Sequence, residues 1–308
     1  DLYFGDTVKY EHFKKVLTTF NDLNLIKSFY KADLFNIEEL LSIIEMKERF
    51  SNVHLKKVFT KYLSDVIEAY TPALEIDYEN INIGSVSQSL FRPGIWSKYL
   101  EFIASLKGLI FYTTQHKAQH TDDIINAPHF RTSKGRTYIY DIITLNYDLV
   151  IEKCFEYLNK LNGDGEAIHC IRTETKSNSI DMRLAKLHGS VDDKSIVPPT
   201  WNKYLRPEIK KAWELAAQLL TEANHIRILG YSLPTTDSYI KFLLKANIGK
   251  MHHIKSIDVI CLDQKGAVRR RYDEFIEFPN YRFVNTDIEN YFEKIKGHAE
   301  YESQGIGK

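Results

Sequence analysis

Asn146, His188 and Ser232 each stand just beyond a short apolar, β-branched run, and their side chains are an amide, an imidazole and a hydroxyl. An amide adds hydrogen bonds without adding charge. An imidazole beside Gly189 can be accessible and titrate near neutral pH, which suits a general base. The Gly230-Tyr231-Ser232 turn lets backbone approach a ligand closely, and its hydroxyl and amides can hold phosphate oxygens at a helix start. The C-terminal ends of strands are where a parallel α/β sheet places its chemistry, so three such ends in one sheet can converge on one ligand.

Each feature also has a structural explanation. In Thr144-Leu145-Asn146-Tyr147-Asp148, Asp148 can cap the following helix and Asn146 can serve the turn. A lone histidine such as His188 is commonly a satisfied interior residue. Asp237 can cap the helix after the Gly-Tyr-Ser turn, and Asp263, at the end of another strand, can either start a helix or accept hydrogen bonds from an adenosine ribose. His116 and His120 have the spacing of a helical metal pair, but no Glu follows His116, so they read as a solvated helix face. His252-His253 has no sequence partner, and Arg269-Arg270-Arg271, beside Asp273 and Glu274, reads as a solvated helix face.

Positioning these groups requires strand–helix alternation, and the pattern supplies it after Thr137. Strands are expected near 138–144, 167–172, 183–187, 225–229, 256–262 and 281–284, and helices near 149–161, 207–223, 237–246, 267–275 and 288–295. Such alternation predicts a mostly parallel sheet with helices on both faces. The earlier part reads as helical over 8–30, 36–46, 54–70 and 96–113, with Asn36 and Glu39 forming a capping-box-like start, followed by a polar loop over 121–135. The division predicted is a helical portion over 1–136 flanking the core, an α/β core over 137–296 and a tail over 297–308.

The 308 residues are 44% hydrophobic, enough for a full core. The 41 basic and 41 acidic side chains cancel, leaving no global field for nucleic acid or an anionic membrane. Three cysteines, Cys154, Cys170 and Cys261, lack any C-x-x-C pairing, which speaks against a disulfide framework and a thiolate zinc ribbon and fits a reducing cytoplasm. No run of about 18 apolar residues exists to span a bilayer. A soluble, cytoplasmic protein that binds neither membrane nor nucleic acid directly is the expectation.

Taken together and in this order, Thr144-Leu145-Asn146-Tyr147-Asp148, His188-Gly189-Ser190 and Gly230-Tyr231-Ser232 resemble the elements that line the NAD pocket of the sirtuin-like family. The segment Ile196-Val197-Pro198-Pro199-Thr200-Trp201-Asn202-Lys203, with Gly-Tyr-Ser-Leu-Pro-x-x-Asp further on, resembles the prokaryotic, defence-associated branch. The resemblance covers about 139–262. It departs from the family in lacking the opening Gly-Ala-Gly-Phe-Ser-like phosphate loop, for which Gly5 is no substitute, and in the short spacing from His188 to Pro198, as though a loop were left out near Asp193 and Lys194.

The resemblance implies a Rossmann-like core and NAD+ as substrate, with no metal. It implies Asn146 and His188 as the catalytic pair, with Thr144, Asp148, Gly230, Tyr231, Ser232 and Asp263 as cofactor-binding residues. It further implies an NAD+ glycohydrolase that cleaves the nicotinamide–ribose bond in antiphage defence, gated by homo-oligomer assembly or by a HerA-like hexameric ATPase. The helical faces carrying Leu40, Leu41, Ile44, Phe59, Leu63 and Ile67 are expected to supply the oligomer contact. The alternatives are an NAD-dependent protein deacylase, whose usual zinc module needs more cysteines than this chain has, and a non-catalytic NAD- or nucleotide-sensing module that gates a partner.

Overall fold

The computed structural model describes residues 2–24, 37–50, 55–71, 95–117, 124–132, 139–162, 167–173, 181–193, 195–197, 207–235, 237–248 and 253–292. They fall into two compact units. One comprises Asp1–Ala73, Ile142–Val150 and Leu184–Glu214, and the other Leu74–Asp141, Ile151–Arg183 and Leu215–Lys308.

The first unit opens with a helical turn, α1 (Leu2–Gly5), followed by α2 (His12–Asn24), α3 (Ile37–Phe50) and α4 (Lys56–Tyr70). The apolar residues that recur at helical spacing are the ones that become buried, among them Val16 and Leu23 of α2, Leu40, Leu41 and Ile44 of α3, and Phe59 and Leu63 of α4. Rings interlock α2 with α4, with Phe13 edge-on to Tyr62 at 4.7 Å and Phe20 tilted against Phe59 at 5.7 Å between centroids. A polar clasp adds to the same seam, in which Asp65 Oδ2 lies 2.9 Å from His12 Nε2 and 3.0 Å from Lys61 Nζ. The faces expected to make an oligomer contact are therefore spent inside the unit, because three helices with apolar stripes bury them against one another. Phe59 and Ile44 are 0% exposed, and only Ile67 of the six is half-buried.

In the second unit, α5 (Ile95–Leu106) is followed by an antiparallel hairpin of β1 (Leu109–Lys117) and β2 (Ile124–Thr132), in register from Leu109 opposite Thr132 to Lys117 opposite Ile124. This corrects the expectation of helix to residue 113 and of a loop over 121–135. Gly108, at φ 56°, ends the helix, and the β-branched and aromatic run Leu109-Ile110-Phe111-Tyr112-Thr113-Thr114 then takes the extended form its side chains prefer. Pro128 is tolerated because both strands of a two-stranded sheet are edges. His116 accordingly lies on a strand, not a helix; His120, Asn36, Lys194 and 198–206 lie outside the described residues.

The remaining strands pair in parallel, as the alternation predicts. β3 (Ile142–Thr144) pairs with the end of β5 (Met182–Lys186), Thr144 opposite Lys186, while β4 (Cys170–Ile171) pairs with its start. β6 (His225–Leu229), β7 (Ser256–Ile260) and β8 (Tyr281–Val284) form a second parallel set with β7 central. The intervening helices are α6 (Val150–Asn162), α7 (Pro207–Glu222), α8 (Ser238–Ile248) and α9 (Ala267–Asp273). These parallel strands flanked by helices make a Rossmann-like α/β fold. Ile257, Asp258, Val259 and Ile260 of β7 are all buried, and Asp258 is tolerated there because Arg282 donates to it from the register-matched position on β8, at 2.7 and 3.0 Å. At the start of β5, Arg183 donates to Asp141 at 2.8 Å and to Glu222 at 2.6 Å, so a buried guanidinium ties strand to helix.

Candidate active site

In the first unit, the register of β3 and β5 sets the site. Thr144 and Lys186 are partners, so Asn146 and His188 each emerge two residues beyond the same rung. The Leu187 amide donates to the Thr144 carbonyl at 3.0 Å, extending the ladder to the residue before His188. Beyond it the chain turns sharply. The Gly189 amide donates to the Lys186 carbonyl at 3.2 Å, and the Val197 amide donates to the His188 carbonyl at 2.9 Å, closing a loop over 188–197. Gly189 adopts φ 87°, and a Cβ there would overlap the Ser195 carbonyl oxygen, so the position requires glycine. Trp213, on α7, steadies the strand end through its indole N–H, which donates to the Leu187 carbonyl at 2.9 Å.

Asn146 sits on the facing loop. Its backbone amide donates to the Thr144 hydroxyl at 3.1 Å, while its side chain is exposed. Asp148 Oδ1 accepts the Val150 amide at 3.0 Å and starts α6, the capping role open to it from the sequence. The Val191 amide donates to the Tyr147 carbonyl at 3.1 Å, joining the loop that carries Asn146 to the loop that carries His188. The Tyr147 ring lies 5.9 Å from the His188 ring, and Tyr147, Val191 and Ile196 pack against the core of α2, α3 and α4. His188 is 2% exposed, so its ring is an interior group of this unit, whereas the Asn146 amide is open.

The other expected residues belong to the second unit. Gly230, at φ 66°, follows β6, and its amide donates to the Ile260 carbonyl at 2.8 Å. The carbonyls of Tyr231 and Ser232 accept from the Tyr272 hydroxyl at 2.8 Å and from Arg271 Nε at 3.0 Å, and the Tyr231 hydroxyl donates to Asp237 at 3.1 Å. This turn is thus a braced one, and Arg271 is not the solvated cation its sequence context suggested. Asp263 takes the helix-start role. Its Oδ2 accepts the Arg269 amide at 2.8 Å, and this bond, with the neighbouring amides of α9, holds its carboxyl below the usual carboxylate range despite burial. Asn285 secures the same residue through both its amide and its carbonyl.

Cys154 and Cys261 are buried and Cys170 is half-buried, on α6, after β7 and on β4 respectively, and burial with the Asp263 charge raises the Cys261 thiol. Among the described residues no group of three His, Cys, Asp or Glu side chains could hold a metal ion, and no helix is long and apolar enough to cross a membrane.

Lys186 is the residue that sequence reasoning passed over. A lysine inside the apolar run Leu184-Ala185-Lys186-Leu187 is itself a signal, because a buried ammonium needs acceptors supplied by the fold. Its Nζ donates to the Asp148 carbonyl and, at 3.4 Å, to the Tyr147 carbonyl.

A parallel α/β fold with polar strand-end loops defines a class of ligand-binding and catalytic domains, which comparison with known proteins narrows. Residues 141–283 match the family model of the SIR2-like domain, which spans both the Asn146–His188 elements and the Gly230-Tyr231-Ser232 turn. The match supports a sirtuin-like family and is compatible with NAD-related activity. A search of curated proteins returned no match.

Proposed function

We propose that this chain is an NAD+ glycohydrolase that cleaves the bond between nicotinamide and ribose. The observation that supports this reading best is the Val191–Tyr147 hydrogen bond, which holds the Asn146 and His188 loops together within a SIR2-like match. Cleavage develops positive charge on the ribose. The exposed Asn146 amide fits the ribose hydroxyls without contributing charge of its own. Water then bonds to the anomeric carbon as the bond to nicotinamide breaks, and the proton that water loses passes to the His188 imidazole. For the Gly230-Tyr231-Ser232 turn of the second unit, a role toward the adenosine and pyrophosphate portion rests on the family resemblance alone.

Depletion of NAD+ in antiphage defence, homo-oligomer assembly and gating by a HerA-like ATPase follow from the resemblance of the 196–203 and 230–237 segments to the defence branch. With the apolar faces of α3 and α4 internal, an oligomer contact falls to other surface. The test is chromatographic. Protein incubated with NAD+, alone and with a co-encoded ATPase, is expected to release nicotinamide and ADP-ribose, and Asn146→Ala and His188→Ala to lose about 100- to 10,000-fold in rate. Folded variants that retain wild-type turnover exclude the pair, and binding of NAD+ without turnover under either condition moves the sensing module ahead.

A further inference from the structure

We infer that Lys186 is a positioning residue that holds the Asn146 loop in place against the His188 loop, an inference that rests on the proposed glycohydrolase reading. Lys186 is 3% exposed and register-paired with Thr144, and its ammonium reaches over the strand end to the carbonyls of Tyr147 and Asp148. The Tyr147 carbonyl also accepts the Val191 amide, so one oxygen joins the cation, the Asn146 loop and the loop after His188.

Stabilising α6 does not explain this placement. The helix starts at Val150, its N-terminus is the positive end of its dipole, and a buried cation there has the wrong sign. Asp148 already supplies the cap through its carboxylate. A methionine or leucine would fill the same space without the desolvation cost of an ammonium. What an apolar side chain could not do is bind the two carbonyls that follow Asn146. Upstream, the Thr144 hydroxyl fixes the Asn146 amide. Asn146 therefore lies between two anchors, with its backbone restrained and its side chain free to meet substrate.

The full chain carrying Lys186→Met, Lys186→Arg, Asn146→Ala or the Asn146→Ala/Lys186→Met pair is compared with wild type by nicotinamide release and by hydrogen exchange of the backbone over 145–150. Lys186→Met is expected to lower kcat about 100-fold, the scale of a misplacement near 1 Å, with little change in KM. Lys186→Arg, which keeps the charge and donors, is expected to retain most activity, and adding Lys186→Met to Asn146→Ala to cost no further rate. Exchange over 145–150 is expected to rise in Lys186→Met while α2 and α4 stay protected. Should Lys186→Met not fold, Lys186→Gln carries the same comparisons. Unchanged exchange over 145–150, or a full additional loss in the Asn146→Ala background, overturns the inference. Wild-type protein that cleaves no NAD+ sinks the glycohydrolase reading instead, and the exchange measurement still decides whether Lys186 holds the loop.

Discussion

The Val191 amide and the Tyr147 carbonyl meet at 3.1 Å, and this bond joins the loops after two neighbouring parallel strands. Tyr147 and Val191 also pack against the buried core of α2, α3 and α4, so the surroundings of His188 are continuous with the helical core of the same unit.

The burial difference between Asn146 and His188 predicts different stability costs. Asn146→Ala, at an exposed side chain, is expected to change unfolding free energy by less than about 0.5 kcal/mol. His188→Ala empties an interior site packed beside the Tyr147 ring and is expected to cost about 1–3 kcal/mol. Urea unfolding monitored by tryptophan fluorescence checks both, and equal midpoints for the two variants would contradict the interior placement of His188.

Gly189→Ala is expected to be more damaging than its single added methyl suggests. The positive φ of 87° alone costs an L-residue about 1–2 kcal/mol, and overlap with the Ser195 carbonyl adds to it. The expected observation is a lower urea midpoint together with faster exchange over 188–197. A wild-type midpoint would show that the closed loop is not formed in solution.

Asp263 predicts an acid limb in the stability profile. Its folded carboxyl titrates below the unfolded value of about 3.9, so the stabilisation is present above that pH and is lost as pH falls through the lower folded value. Asp263→Asn is expected to flatten the profile below about pH 4, the unfolded carboxyl's range, and to loosen α9, since Arg269 loses an ionised acceptor at the helix start. Thermal unfolding across a pH series measures the slope, and a variant as steep as wild type in that window would assign the limb to other carboxylates.

Periodicity and local chemistry made much of this protein legible in advance. β6 and β8 match their expected bounds, α7 differs by one residue, and the polar residues closing β3 and β5 mark the candidate site because strand ends are where chain direction, exposed amides and turn residues coincide. Helix capping by Asp148 and Asp263 was likewise open to a local reading. The hairpin over 109–132 was not, since an apolar run of that length satisfies either period and only the pairing of Leu109 with Thr132 across the chain selects the strand. Tertiary structure alone decided that the stripes of α3 and α4 face inward, that His188 is interior while Asn146 is open, and that the Lys186 ammonium reaches the carbonyls beyond Asn146. The physical reason is the same in each case. Sequence specifies which groups an element presents and at what period, whereas burial and hydrogen-bond partnership depend on residues distant in the chain, whose approach no local pattern encodes.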